Sequence, residues 1–541
     1  MKKSISLFLT FALALVLPFS ACKKGLDYTP EYGLNSESVY GTADNYIHVL
    51  AKIYSSFVVT GNKGPAGQPD ITGFDEGASG YVRVMWNLQE LTTDEAICGW
   101  GDPGIPELNN TSWSSDNQWV KYMYYRIYFT IPMCNEFIRE SSDEKMTERG
   151  FSEVDKIKIK AYRSEARFIR ALAYYHEVDF FGAGPFVTEK DEPGAFNPEY
   201  ASRTKLYDYV ESELLAIENE MVDARANEYA RADKAAVWTL LAKLYLNSEV
   251  YVNRARYSEA ASYCKKVIDA GYTLDTQYKN IFRANNNLSP EIIFPITADG
   301  VNTQTYGCTT FLVHASLGGS MVDTQFGVVG KWAGLRAKKN LVNLFVDTTS
   351  TDTANSHLDT RYMFYKKGQV REITNMSTFT QGYALAKYKN ILRAPEVGND
   401  TVIRGSDKTG GFVDIDFPMF RLADVYLMYA EAQLRSGGPT GDALTLVNKL
   451  RERAYKNTSG NIVSSDLTLQ FILDERAREL QWEGHRRTDL IRFGKFTDGS
   501  YVWPYKGGVQ AGTGIADFYK IFPLPNSDIV ANPNLVQNPG Y

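Results

Sequence analysis

Two distant stretches of this chain repeat one pattern, and that repetition limits the fold more than any other feature. Residues 235–271 (AAVWTLLAKLYLNSEVY…YSEAASYCKKVIDAG) and 422–450 (LADVYLMYAEAQLRSGGPTGDALTLVNKL) each read as a helix pair with Ala and Tyr at similar places. Val237, Leu240, Leu241 and Leu244 fall on one face of a 3.6-residue period. Ala260, Cys264, Val267 and Ile268 line the partner helix, with Gly271 as its closing glycine. In the second unit Leu422, Val425, Tyr426 and Tyr429 form the stripe. After the breaker run Gly437-Gly438-Pro439 come Ala443, Leu446, Val447 and Leu450. Phe168, Leu172 and Tyr175 mark a third element over 157–182, and ILDERAREL, stopped at Gly484, a last one.

One such pair cannot bury its apolar face alone, so the pairs must stack. The predicted fold is mainly α, a TPR-like helical repeat scaffold with helix pairs near 157–270 and 418–494. Residues 58–120 and 272–415 are rich in Gly, Asn, Asp, Thr and Pro, with short β-like runs such as Glu291-Ile292-Ile293-Phe294. They read as long ordered loops and short strands mounted on the helices, where function concentrates.

The N-terminus gives an address. Lys2 and Lys3 precede an apolar run of thirteen residues, Ile5 to Leu17. That is too short to span a bilayer and suits a signal-peptide core. Phe19-Ser20-Ala21-Cys22 resembles a lipobox, although Phe19 departs from the usual aliphatic residue. The expected division is a signal peptide over 1–21, a lipidated tether over 22–36 anchored through Cys22, and one body over 37–541. Ordinary secretion with Cys22 a bystander is the alternative.

Composition excludes several classes. A formal net charge of −6 leaves no basic surplus for nucleic acid. Cys98, Cys134, Cys264 and Cys308 are scattered and never spaced as CxxC, so a zinc or redox site is unsupported; buried free thiols are the plain reading, although export would permit disulfides. The five histidines have no metal-ligand spacing, so neither metal nor cofactor is expected. HExxH, GxSxG and phosphate-cradling glycine loops are absent. A glycoside hydrolase needs two facing carboxylates roughly 5 to 9 Å apart. Asp94 and Glu95 are adjacent, so on an extended segment they would point to opposite sides. The expectation is a protein that is not an enzyme.

Trp86, Trp100, Trp113 and Trp119 are four of the eight tryptophans. Trp119 belongs to the amphipathic run WVKYMYYRIYF and, with Trp86 and Trp113, is expected in the core. Trp100 sits among Gly99, Gly101, Pro103 and Gly104, a run of tight turns that would hold it on a loop with one face exposed. Pyranose C–H groups pack on such a face, and hydroxyls seek polar partners like the nearby Asp75, Arg83 and Asp102.

The ordered set FPMFRLADVYLMYAEAQLRSGG, LVNKLRERA, ILDERARELQWEGHRRTDLIRFGKF and FPLPNSDIVANPNLVQNPGY resembles the SusD/RagB family of nutrient-binding outer-membrane lipoproteins. The resemblance implies capture of a glycan at the cell surface of a Bacteroidetes-type bacterium and delivery to a SusC-like TonB-dependent porin. The segments ICGWGDPG, TQTYGCTTF and VVGKWAGLR are similar to those of starch-binding members. This implies an aromatic arc of Trp100, Tyr306 and Trp332 around an α-glucan, with Asp75 (GFDEG) and Arg83 (GYVRV) holding hydroxyls. Around Trp332 the flanks depart from the family pattern. Asp102 is added for its place beside Trp100. The basic run EGHRRTDLIRFGK, flanked by Glu475, Arg476, Arg478 and Glu479, reads as internal ion pairing rather than an anion site. A different glycan, a glycoside hydrolase and a protein-only scaffold are the competing readings.

Overall fold

The computed structural model describes residues 35–194, 196–345, 358–393 and 405–541. The signal peptide, Cys22 and most of the tether lie outside the described residues. The helices that matter below are α1 (Tyr81–Trp86), α2 (Gln118–Glu140), α3 (Glu153–Phe180), α4 (Arg203–Ile217), α5 (Lys234–Leu246), α6 (Tyr257–Asp269), α7 (Cys308–Ala315), α8 (Leu422–Ser436), α9 (Gly441–Tyr455), α10 (Leu469–Leu480) and α11 (Arg486–Arg492).

The two look-alike units stack on each other. Helix α6 packs between α5 of its own pair and α8 of the other, and α8 packs on α9 and α10. Upstream, α3 lies between α2 and α4. The stripes read from the sequence form the seams: Val237, Leu240, Leu241, Leu244, Ala260, Cys264 and Val267 are fully buried, and Ile268 is half-buried. Each such aliphatic side chain contributes about 1.5 to 3 kcal/mol on burial. Gly271, at φ +85°, follows the end of α6, and Gly437 ends α8 in the left-handed conformation. The four cysteines are buried free thiols. Trp86, Trp113 and Trp119 are in the core, their indole N–H groups donating to Trp482 O, Tyr541 Oη and Pro103 O.

Two antiparallel strand pairs tie the loop regions to this body. Strand β1 (Ala96–Cys98) pairs with β3 (Leu335–Ala337), and β2 (Ile292–Ile296) with β4 (Phe417–Arg421).

Three local expectations are corrected. The last repeat helix stops at Leu480, not at Gly484: Gln481 leaves the helical region with ψ 127° and Trp482 takes φ +60°. Trp482 is there turned into the core, where its backbone N–H reaches Glu95. Within 58–120 the chain is helical over α1, which runs straight into a π-turn over Asn87–Leu91. All of those residues are buried, so no amphipathic stripe exists to signal the helix. Asp94 and Glu95 do not point apart: both approach Arg486 Nε, at 2.7 and 3.7 Å.

The basic C-terminal run is internally paired. Arg486 meets Asp94, Arg492 meets Glu431 and Asp489, and Arg476 bridges Asp424 and Asp489. Burial alone would raise the Glu475 carboxyl, but Arg361, Arg478 and Arg451 hold it down to about 2. Asp489 is likewise held at about 2, against burial, by Arg476 and Arg492. Glu90 goes the other way: burial lifts it from 4.5 to about 7 despite hydrogen bonds from the Gly484 and His485 N–H groups.

These shifts set opposite pH limbs. The depressed acids stabilise the fold above their ordinary values, and that stability is lost as pH falls toward 2. Glu90 is held protonated, so its contribution is present below 4.5 and is lost as pH rises through 7. Glu95, raised by burial and by the Glu90 charge, titrates together with it, so in urea unfolding across this range the double variant Glu90→Gln, Glu95→Gln is expected to flatten the neutral limb and leave the acid limb intact. An unchanged neutral limb would rule the assignment out.

Candidate functional site

Trp100 and Trp332 are brought together by the β1–β3 pair. Cys98 stands opposite Leu335, and Gly99 N–H donates to Gly334 O at 2.9 Å, so the residues next to these strand ends meet. The Trp100 indole N–H then donates to Trp332 O at 3.0 Å. The ring centroids lie 6.5 Å apart at 47°. Gly334 makes this possible: a Cβ there would stand 2.4 Å from Trp100 Cε2.

The Trp332 backbone is fixed by the end of α7. A helix leaves its last carbonyls without intrahelical partners. Here His314 O and Ala315 O accept from the N–H groups of Trp332 and Gly334, and Leu317 O accepts from Ala333. Ala333 takes φ +52°, a conformation costly for a residue with a Cβ and retained only where the surroundings impose it. Beneath the indole, the His314 ring stacks at 4.8 Å and 19°, with its Nδ1 3.0 Å from Gly330 O. Burial holds this imidazole below its ordinary value.

Tyr306 enters from just ahead of α7. It is 39 % exposed, with its ring 6.4 Å from Trp332. Trp100, Trp332 and Tyr306 thus form one aromatic platform, with Trp332 in the middle.

Arg83 lies under that platform. It is only 8 % exposed, and its guanidinium sits 4.4 Å from the Phe311 centroid, 5.3 Å from Trp119 and 5.7 Å from Trp100. Its Nη1 donates to Gly77 O and Tyr306 O, and burial pushes its pKa down to about 10. Of its nitrogens, Nη1 is thus engaged by backbone carbonyls, while the buried Nε has no hydrogen-bond partner. Asp75 and Asp102 are both exposed and both act on the Arg83 charge. Asp75 Oδ1 accepts from Ala78 N–H at 2.8 Å and borders Gly77, whose other neighbour is Tyr306. Asp102 opens the helix Ile105–Asn110 through its carbonyl.

A family model described as the SusD family matches residues 290–541. The chain is 34 % identical to the starch-binding protein SusD of Bacteroides thetaiotaomicron, and the match covers 98 % of each. The chain belongs to the SusD family. A SusD-like protein of Bacteroides ovatus is 24 % identical, over 100 % of this chain and 98 % of its own. Among solved structures, surface glycan-binding protein A from Bacteroides fluxus superposes with a TM-score of 0.69 at 19 % identity, covering 92 % of this chain and 100 % of that one. A SusD superfamily protein from Parabacteroides distasonis gives 0.69 at 22 %, covering 94 % and 100 %. The last two likenesses bear on the fold alone.

Sequence reasoning for this SusD-family chain missed three rings packed against the platform: His314 behind Trp332, Phe311 beneath Trp100, and Phe412, whose ring lies 5.4 Å from Tyr306. Phe412 carried a signal, an aromatic after Gly410-Gly411, like the one that singled out Trp100. His314 and Phe311 carried none, because their roles depend on what packs over α7. A cleft of about 610 Å³, lined by Tyr125, Tyr128, Pro132 and Phe196 among others, shares no residue with the platform. Among the described residues no helix is long and apolar enough to cross a membrane, and no group of three or more His, Cys, Asp or Glu could hold a metal.

Proposed function

We propose that this protein is a cell-surface lipoprotein that captures starch or a related α-glucan and passes it to a SusC-like TonB-dependent porin. The observation that carries the reading is the platform itself: Trp100, Tyr306 and Trp332 converge from segments up to 232 residues apart onto one supported aromatic face. A protein core needs such rings buried, whereas here Tyr306 is exposed and both indoles are half-buried. The named starch binder, related along nearly the whole chain, favours α-glucan over other sugars.

Binding is by stacking, with Asp75 and Asp102 at the rim for hydroxyls, and no bond is broken. Asp94 and Glu95, the adjacent carboxylates of the Trp100 region, are buried on Arg486 and out of reach of a polysaccharide. The anchor is Cys22, outer-membrane and surface-facing. Stacking contacts are individually small, so affinity for one short oligosaccharide is modest and many copies on the surface compensate.

Affinity electrophoresis of the mature chain, with Cys22 replaced, through gels containing amylopectin, dextran, inulin or xylan tests this. Retardation by amylopectin alone is the expected result. Retardation by another polysaccharide would discard α-glucan while keeping glycan capture, and none by any would discard α-glucan and point to a glycan outside this panel, a peptide ligand or a role limited to the transporter.

A further inference from the structure

We infer that Phe412 is a fourth ring of the platform, adding a sugar subsite beyond Tyr306 and selecting longer linear glucans over short ones. The inference rests on the α-glucan reading above. Its basis is geometric. The centroid spacings along the face run 6.5 Å from Trp100 to Trp332, 6.4 Å from Trp332 to Tyr306, and 5.4 Å from Tyr306 to Phe412. Phe412 thus adds a further ring one similar step from Tyr306. It is half-buried, as both indoles are.

The segment that carries it is also pre-formed. The Asp407 carboxylate accepts from the N–H groups of Thr409, Gly411 and Phe412 at 2.8, 2.9 and 3.0 Å, closing a tight loop around one side chain. Gly410 O accepts from Val329 N–H at 2.8 Å, which ties this loop to the segment leading to Trp332. Val413 N–H reaches Thr310 Oγ1 on α7, the helix that also fixes Trp332. A ring held this way loses little conformational freedom on binding, and that is how a small contact becomes measurable affinity.

A short glucan that covers Trp100, Trp332 and Tyr306 would not reach Phe412, and a longer one would. Titration calorimetry of the mature chain with maltotriose and maltoheptaose separates the two. Phe412→Ala is expected to weaken maltoheptaose by roughly fivefold and to leave maltotriose within about twofold. Phe412→Tyr, which keeps the ring, is expected to match the unsubstituted protein. An equal loss for both sugars would make Phe412 a mere support for Tyr306, and no loss for either would leave it no role; both overturn the inference. Trp332→Ala, run alongside, should weaken both sugars. If it does and Phe412→Ala is silent, only this inference fails. If the unsubstituted protein binds neither sugar, the α-glucan reading fails and this subsite falls with it.

Discussion

Trp332→Ala is expected to weaken α-glucan binding by tenfold or more and to abolish retardation in amylopectin gels. The ring is the centre of the platform, 6.5 Å from Trp100 and 6.4 Å from Tyr306, so its loss splits the face into two separated rings. An aromatic pair contributes about 0.5 to 1.5 kcal/mol beyond burial, and burying a large apolar side chain about 1.5 to 3 kcal/mol. At about 1.4 kcal/mol per tenfold, one central ring accounts for roughly tenfold to a hundredfold. The substitution is also clean. Trp100 is held by the Trp332 backbone carbonyl, which alanine keeps. The Trp332 N–H bond to His314 O is likewise unaffected. Losing the ring contacts to His314 and Trp100 should lower the thermal midpoint modestly while binding collapses. Phe at this position should restore part of the affinity. Unchanged binding of amylopectin by Trp332→Ala would remove the platform as the binding surface.

Arg421→Met is expected to destabilise the fold by about 3 to 5 kcal/mol, the cost of breaking a buried ion network from one side. Arg421 is 1 % exposed and touches three buried acids: Glu291 and Glu479 at 2.8 Å, and Glu483 at 2.6 Å. It ends β4, so the network locks the β2–β4 pair to α10 and to the segment before α11. Arg453 also meets Glu291 and Glu479, and Lys387 meets Glu483 at 2.6 Å, so no acid is left wholly alone. The cluster nonetheless loses a full charge that nothing mobile can replace. Since stabilities of folded domains are typically about 5 to 15 kcal/mol, the variant should sit near the edge of folding. Urea unfolding measures it, and a loss below about 1 kcal/mol would contradict the account. The double variant Arg421→Met, Glu291→Gln should lose less than the single one, because Arg453 keeps Glu479 and Lys387 keeps Glu483 when one acid leaves with Arg421.

The same cluster shows how far sequence reading goes. Charged residues crowded between apolar helix positions announced internal pairing, because unpaired charge cannot be buried. Which acid meets which base was not legible: Arg486 finds Asp94 across 392 residues, and Arg361 finds Glu475 across 114. The helix stripes were legible because periodicity is local. The α1 helix was not, since a segment buried on every side has no polar face to set its phase. The end of α10 was misplaced for a related reason: a buried tryptophan, Trp482, turned the chain before the glycine could.

For the aromatic platform, the sequence determined the parts. Turn residues around Trp100 required a loop position, and matching segments pointed to Tyr306 and Trp332. Tertiary structure decided the assembly. Strand pairing between Ala96–Cys98 and Leu335–Ala337 set the two indoles side by side, and Gly334 left room for one of them. Tertiary structure also placed Arg83 against the faces of Phe311 and Trp100, with its Nη1 bonded to backbone carbonyls. Its exposure depends on which distant residues cover it, and that is fixed by long-range packing, on which local periodicity and turn chemistry carry no information.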